Sequence, residues 1–494
     1  MIRRHQKQDY ETVSRSRKQR ASEFSAREDR IKSKPVASGR PPVIRGEQAT
    51  LLLDPVEAST FLKPGHLFSF AALFVFTIVL YARPAEFYPS AITNSLALII
   101  GIITLGCFIP TQISLEGKLT ARPSEVNLVL LFMLTALLSI PLAIDPAIAW
   151  TEFSGTFVRG ILIFIVIINV VRTPRRLKAL LFLSVATAIV LSAQAVNDYR
   201  LGLMTVEGYR AAGRGTGIFG NTNDMALHLV TMLPISVAFF FGSRNPLKKT
   251  LHAACAAAMI FGIVLSYSRG AFLGALVVFV FFAAKIGRRS KFEIAALLVA
   301  AAAALIVLAP SGYGDRLLSI FMPGLDPNGS ADSRRGELFR SIYVALRHPL
   351  LGIGMGNYQP NMSYKGLVTH NSYTQVASEM GMTALVLYTT FIVAPLRKLA
   401  VIARQTFIAR EHSQFYYLAL GLQASLLVFM ISSFFLSVAY GWNVYYLVGY
   451  AVCFRRIYES ETGKSVVIDQ RKRQKDRITD ENSIGESAHH PVIA

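Results

Sequence analysis

Residues 127–143 read NLVLLFMLTALLSIPLA and contain no charged side chain. A segment of this length approaches the ~20 apolar residues that a helix needs to cross the hydrocarbon core of a bilayer. Its apolar residues are continuous, whereas in a strand of a membrane β-barrel they would alternate with polar ones. The segment therefore predicts a transmembrane helix.

The same kind of segment recurs along the chain, which predicts an all-α polytopic membrane protein with about 12 transmembrane helices. The predicted spans lie near residues 66–82, 90–109, 127–143, 152–171, 178–195, 224–241, 250–265, 270–284, 292–309, 381–396, 415–436 and 440–454. Of the 494 residues, 52% are hydrophobic and 16% are charged, against roughly 25% charged in an ordinary soluble domain. This composition excludes a soluble enzyme, a disordered scaffold and a disulfide-stapled secreted domain.

The distribution of basic residues predicts the topology. The net charge of +21 would suggest a nucleic-acid partner in a soluble protein, but here Lys and Arg collect in the termini and in alternate short loops. These basic loops lie near residues 118–122, 172–178, 244–249, 285–291 and 397–410. The positive-inside rule places both termini in the cytoplasm, and the two long loops, about 196–223 and 310–380, on the outer side. The expected surroundings are a lipid bilayer, and no nucleic-acid partner is expected.

Three parts of the chain follow from this pattern. Residues 1–63 are predicted to be a disordered basic cytoplasmic tail, 64–454 a transmembrane domain, and 455–494 a polar cytoplasmic tail. No apolar core follows Met1 closely, so a cleaved signal peptide is not expected. The N-terminal tail fits a segment that touches anionic lipid or, alternatively, a regulatory docking segment.

The first outer loop contains GYRAAGRGTGIFGNTND at residues 208–224. It places Arg210 and Arg214 beside glycines, and the guanidinium is a planar donor suited to phosphate oxygens. Glycines let the backbone approach a bulky ligand, and the following helix N-terminus adds affinity for anions. Asn223 and Asp224 could also act only as helix caps.

A second candidate element is SYSRGAFLGA at residues 266–275. The flanking runs, 250–265 and 270–284, are about 15 residues long and would each rise roughly 22 Å. Because this is less than the membrane thickness, Arg269 is predicted to sit recessed below the outer surface. A cation at that depth needs a wet cavity or an anionic partner. Snorkelling of its side chain to the interface is the alternative.

The second outer loop is predicted to contain two short helices. The first lies within ADSRRGELFRSIYVALRHPLLGIGMGNYQ, begins at Asp332 or Ser333, and ends before Pro349 and the glycines that follow. Its basic face offers Arg334, Arg335 and Arg340. The second begins near Asn371 and continues into the tenth predicted span.

His370 directly precedes that second helix. The dipole at a helix N-terminus disfavours a charged imidazole, so the ring stays neutral and can accept a proton. A capping or surface histidine is the alternative role. Glu379 lies nine residues further on, and Arg159 is a second arginine at membrane depth, with Glu152 two turns away on the same helix face.

The sequence lacks the common signatures of soluble enzymes. It has no Walker A sequence, no G-x-S-x-G and no H-E-x-x-H, and carboxylates are scarce in the outer loops. This argues against a divalent-metal nucleotide-sugar transferase, so neither a metal nor another cofactor is expected. Several arginines and one histidine instead fit a lipid-linked phosphate.

Four stretches resemble the O-antigen ligase and polymerase superfamily of bacterial envelope glycosyltransferases. They are RGTGIFGNTND, SRGAFLGAL, SRRGELFRSIYVALRHPLLGIGMGNY and THNSYTQVASEMGMTALVLY, in this order within residues 200–440. The resemblance implies a GT-C-like enzyme of the inner membrane with its active site in the periplasm. The donor would be an undecaprenyl-pyrophosphate-linked glycan, and the acceptor a hydroxyl of another glycan or of the lipid A core.

By this resemblance, Arg214 and Arg269 match the positions thought to hold the pyrophosphate, and His370 matches the proposed catalytic base. Further candidates for the site are Arg210, Arg159, Arg334, Arg335 and Glu379. Ligases and polymerases share these motifs and differ in their acceptor, so a polymerase of O-antigen or exopolysaccharide repeats stays an alternative. A flippase or exporter of lipid-linked sugars is another, although an exporter would have no use for an essential histidine in an outer loop.

Overall fold

The computed structural model describes residues 65–204, 210, 219, 221–286, 330–409 and 414–466. In these ranges the α-helices are α1 (Leu67–Ala82), α2 (Pro84–Phe87), α3 (Ala91–Glu116), α4 (Ser124–Ser139), α5 (Pro146–Glu152), α6 (Val158–Val170), α7 (Pro174–Arg200), α8 (Thr222–Gly242), α9 (Pro246–Leu265), α10 (Arg269–Ile286), α11 (Ser330–Arg347), α12 (Tyr358–Asn361), α13 (Ser372–Gln405), α14 (Gln414–Ser432) and α15 (Trp442–Thr462). Ten helical segments of this part are long and apolar enough to cross a membrane. The prediction of an all-α polytopic membrane protein is confirmed.

Several parts of the predicted layout lie outside the described residues. They are the span at 292–309, the N-terminal tail at 1–63, residues 467–494 of the C-terminal tail, and parts of both long outer loops. The count of 12 transmembrane helices therefore stays a prediction. α15 is not among the ten apolar segments, but its side chains from Val444 to Phe454 are all buried, so this tyrosine-rich helix runs through the interior of the bundle.

Several helices are longer than their apolar runs. α9 and α10 have 20 and 18 residues, so each rises about 27–30 Å, and the prediction of 15-residue helices is wrong. α9 begins earlier because Asn245 caps it, accepting a hydrogen bond from Leu247 N at 2.9 Å. α15 continues eight residues past the predicted end of the transmembrane domain at 454.

Ion pairs hold the helices together at the end of the bundle that the charge pattern assigns to the cytoplasm. The carboxylate of Glu125, which is fully buried, lies 2.8 Å from Lys398 Nζ and 3.3 Å from Arg455 Nη2. One side chain of α4 thereby links α13 and α15. Arg172 and Glu116 form a further pair at 2.6 Å.

At the opposite end, a break in α13 fastens the second outer loop to the bundle. Gly381 has φ 87°, a conformation that side chains rarely adopt, and a Cβ there would lie 2.2 Å from Leu350 O. The loop pairs with the helix around this break: Met382 N donates to Pro349 O at 2.7 Å, and Gly354 N donates to Glu379 O at 2.8 Å. The short outer segments therefore lie directly on the membrane helix.

Candidate functional site

The turn between α9 and α10 is buried by neighbouring protein. Ser266, Tyr267 and Ser268 are each less than a tenth exposed. Short helices would recess this turn below the surface, whereas in the structure the helices are longer and the turn is covered by Arg210 and by the end of α14. Arg269 is the first residue of α10 and is half-buried.

Arg210 supports this turn from the first outer loop. Its side chain is 6% exposed, with Nε donating to Ser266 O at 2.9 Å and Nη2 to Asn223 Oδ1 at 2.7 Å. One arginine thus joins the loop, the turn before Arg269 and the start of α8. Arg214, the other arginine of that loop, lies outside the described residues.

The segment 432–438, which begins with the last residue of α14 and leads toward α15, connects the Arg269 turn to the residues around His370. On one side, Ser432 Oγ donates to Gly270 O at 3.1 Å. On the other side, Ser372 Oγ donates to Leu436 O at 2.6 Å. These bonds hold the start of α10 and the start of α13 against the same short segment.

His370 lies next to this segment. Its neighbour Thr369 bonds through its hydroxyl to Ser437 Oγ at 2.8 Å, and Asn371 caps α13 by accepting from Tyr373 N at 2.9 Å. The backbone at His370 is left-handed, with φ 52°. Burial, and secondly the positive charge of Arg334, lower the pKa of His370 to about 4. The neutral imidazole that the sequence argument ascribed to the helix dipole thus follows from burial and a neighbouring cation.

The three arginines of α11 differ in their surroundings. Arg334 is half-buried and acts electrostatically on His370. Arg335 is exposed and lies over the ring of Phe339 at 5.8 Å. Arg340 stacks on Tyr364 at 3.6 Å. Among these arginines of the described chain, Arg334 is the one whose charge acts on the histidine.

Glu379 is buried behind the site and is occupied by hydrogen bonds. Its carboxylate accepts from Tyr440 Oη at 2.9 Å and from Tyr358 N at 3.3 Å. Tyr358 Oη in turn donates to Glu337 Oε2 at 2.7 Å. These contacts favour a role for Glu379 in holding the second outer loop.

A cavity of about 550 Å³ opens beside these segments. Its polar and aromatic lining comes from Arg83, Glu86, Thr93, Asn94, Glu152, Thr156, Arg159, Asp224, Gln375, Ser437, Tyr440, Trp442 and Asn443. Arg159 and Glu152 both lie in the cavity wall. This agrees with the prediction that the two side chains share one face of the helix. Arg269 and His370 are not part of this lining in the described chain, although Ser437 links the wall to the segment beside His370.

Sequence reasoning missed most of this cavity. It weighed Asp224 as a helix cap and did not single out Arg83, Trp442 or Asn443. One available signal was composition, because Trp442 is one of only two tryptophans in the chain. The lining comes from separate stretches between residues 79 and 443, so only the fold brings these side chains together.

Residues 254–389 match the family model described as O-antigen ligase. The match confirms the resemblance to the O-antigen ligase superfamily, and it supports a ligase- or polymerase-type role in polysaccharide biosynthesis. The matched segment is a little more than a quarter of the chain and contains Arg269, Arg334, His370 and Glu379. A search of curated protein sequences gives no match.

Proposed function

We propose that this protein transfers an undecaprenyl-pyrophosphate-linked glycan to an acceptor hydroxyl at the periplasmic face of the inner membrane. Arg214 and Arg269 would hold the pyrophosphate, and His370 would act as general base. The observation that carries the proposal is the bridging segment 432–438, which bonds to both Gly270 and Ser372. Arg269, which belongs to the family motif, and the neutral His370 are therefore both held close to segment 432–438, at the same end of the bundle.

The proposed reaction is a direct displacement. His370 takes the proton of the acceptor hydroxyl as its oxygen attacks the anomeric carbon of the donor sugar. The bond between that carbon and the pyrophosphate oxygen breaks, and the leaving group keeps the electron pair. Arginines stabilise the charge that develops on the pyrophosphate, so this step needs neither a metal nor an acid. One displacement inverts the anomeric centre.

The donor itself would adjust the basicity of His370. A pKa of about 4 in the ligand-free protein makes the imidazole neutral but weakly basic. A bound pyrophosphate brings negative charge close to the ring, which raises its pKa toward the working pH. The histidine would then be most effective when the donor is in place.

Product analysis with the purified protein tests this proposal. Wild-type protein incubated with the lipid-linked glycan and an acceptor oligosaccharide should release undecaprenyl pyrophosphate and form a glycosidic bond of inverted configuration. Glycan on the core-type acceptor identifies a ligase, whereas a lengthened lipid-linked glycan identifies a polymerase. Intact donor moved across a vesicle membrane without any new bond would identify an exporter and contradict the proposal.

A further inference from the structure

We infer that the cavity of about 550 Å³, whose lining includes Arg83 and Asn443, is a binding subsite for an uncharged sugar residue of the substrate. This subsite is separate from the pyrophosphate site. The inference rests on the proposed function and adds what the cavity binds. Its volume of about 550 Å³ lies within the roughly 300–1,000 Å³ of small-ligand pockets. Polar groups from several helices converge on it, which is the usual pattern of such pockets.

Many of these polar groups have no partner among the residues that the structure describes. Within the described chain, the side chains of Asn94, Glu152, Arg159, Asp224 and Asn443 line the cavity without an intramolecular hydrogen bond or ion pair. Asn94, Glu152 and Arg159 are exposed and Asp224 and Asn443 are half-buried, so these groups can exchange hydrogen bonds with water for hydrogen bonds with a ligand.

The charges of the wall argue against phosphate as the ligand. Glu152 and Asp224 bring two carboxylates beside the one guanidinium of Arg159, and Arg83 is already paired with Glu86. A pyrophosphate placed here would meet carboxylates at close range, which is unfavourable. A carboxylate is instead a strong acceptor for hydroxyl donors, and each of its oxygens can serve a different sugar hydroxyl. This assigns Arg159, which the sequence offers only as a further candidate for the site, to sugar binding.

Trp442 adds an aromatic surface to the same wall. It is half-buried as the first residue of α15, and its ring centroid lies 6.0 Å from that of the buried Phe76. Packing against Phe76 holds the indole in position. A flat ring of this kind offers an apolar face to the C–H face of a sugar, beside carboxylates for its hydroxyls.

The cavity also lies beside the proposed reacting groups. Asp224 follows Asn223, which binds Arg210 under the Arg269 turn. Ser437, another residue of the lining, bonds to Thr369, the neighbour of His370. A sugar in the cavity would therefore be next to the place where the glycosidic bond forms. It could belong either to the donor glycan or to the acceptor.

Tryptophan fluorescence can test the subsite without turnover. The chain has two tryptophans, and Trp150 is 55% exposed outside the cavity lining, so a Trp150→Phe variant reports on Trp442 alone. Three probes are titrated: the free glycan released from the lipid-linked donor, the acceptor oligosaccharide, and undecaprenyl pyrophosphate without sugar. We expect saturable changes in Trp442 emission with one of the two sugars. Which sugar it is identifies the donor or the acceptor as the occupant.

Matched substitutions then test the carboxylates. Glu152→Gln and Asp224→Asn should each raise the Kd for that sugar about 10-fold or more, because a charged hydrogen-bond acceptor is lost. The same variants should bind undecaprenyl pyrophosphate as before, which also shows that they are folded. Asp332→Asn, an exposed carboxylate outside the cavity, should leave the sugar Kd unchanged.

The subsite is refuted if neither sugar changes Trp442 emission, or if both carboxylate variants bind the sugar as the parent protein does. The subsite is also contradicted if Glu152→Gln and Asp224→Asn lose as much affinity for undecaprenyl pyrophosphate as for the sugar. The carboxylates would then not be specific for sugar. The transfer assay separates this outcome from failure of the proposed function. Transfer without sugar binding at Trp442 removes the subsite alone, whereas sugar binding without transfer removes the proposed reaction and leaves the subsite.

Discussion

At the scale of single residues, the account depends on the surroundings of His370. Partial burial of the ring, and secondly the positive charge of Arg334, lower the pKa of His370 to about 4, which favours the neutral imidazole. Sequence position alone suggested a neutral histidine, but it pointed to the helix terminus as the cause. Glu379, the other residue that could take a proton, is instead occupied by Tyr440 and by the backbone of Tyr358.

Removing the charge of Arg334 should shift the pH dependence of transfer. In Arg334→Ala the pKa of His370 rises, so protonation inactivates the base at a higher pH. The acid limb of kcat/KM, which reports the free enzyme, should therefore move upward from about pH 4. Arg335→Ala is the control, because Arg335 is exposed over Phe339 and should leave the limb in place. Equal shifts in both variants would contradict a specific effect of Arg334.

Arg269 should be required for use of the donor. A charge-assisted bond to phosphate contributes about 1.5–3 kcal/mol, so Arg269→Ala should lower kcat/KM for the lipid-linked glycan by roughly 10- to 150-fold. Arg269→Lys should recover only part of this, because an ammonium lacks the planar fork of donors. Arg347→Ala, an exposed arginine at the end of α11, serves as the control. Donor kinetics like those of the wild type in a folded Arg269→Ala protein would remove Arg269 from the site.

At the scale of elements, the break in α13 determines where the second outer loop lies. Gly381 and Gly366 both have a positive φ, of 87° and 64°, but only at Gly381 would a Cβ meet other atoms, with Leu350 O at 2.2 Å. Gly366→Ala should cost about 1–2 kcal/mol for the left-handed backbone. Gly381→Ala should cost more and displace the loop that carries the ligase motif. Thermal unfolding in detergent measures the difference, and equal unfolding temperatures of the two variants would show that the loop is not fixed there.

The elements that sequence predicted well are those defined by one continuous apolar run. The run at 66–82 corresponds closely to α1 and the run at 224–241 to α8, because each helix is little longer than its apolar run; Asn221 caps α8 just before it. α9 and α15 extend further, because a cap at Asn245 and paired charges near Arg455 carry the helices through polar residues. The cavity could not be predicted, since Glu152, Asp224 and Trp442 meet only after the helices have packed.

At the scale of the whole molecule, the orientation in the membrane stays a prediction from the alternation of basic loops. Cysteines introduced in a background without Cys107, Cys255 and Cys453 can test it in spheroplasts. Tyr364→Cys replaces a side chain that is 88% exposed in the second outer loop, and should react with an impermeant maleimide in intact spheroplasts. Lys464→Cys, just after α15, should react only after permeabilisation. The reverse pattern would place the candidate site in the cytoplasm.

Single-turnover transfer by His370→Ala at saturating donor tests whether His370 is the general base. Loss of a positioned base should slow transfer by about 10²- to 10⁴-fold while the affinity for the lipid-linked donor stays near that of the wild type. This result would assign the proton transfer to His370. A rate like that of the wild type at saturation, or loss of donor binding with turnover intact, would contradict the account and show that the base lies elsewhere.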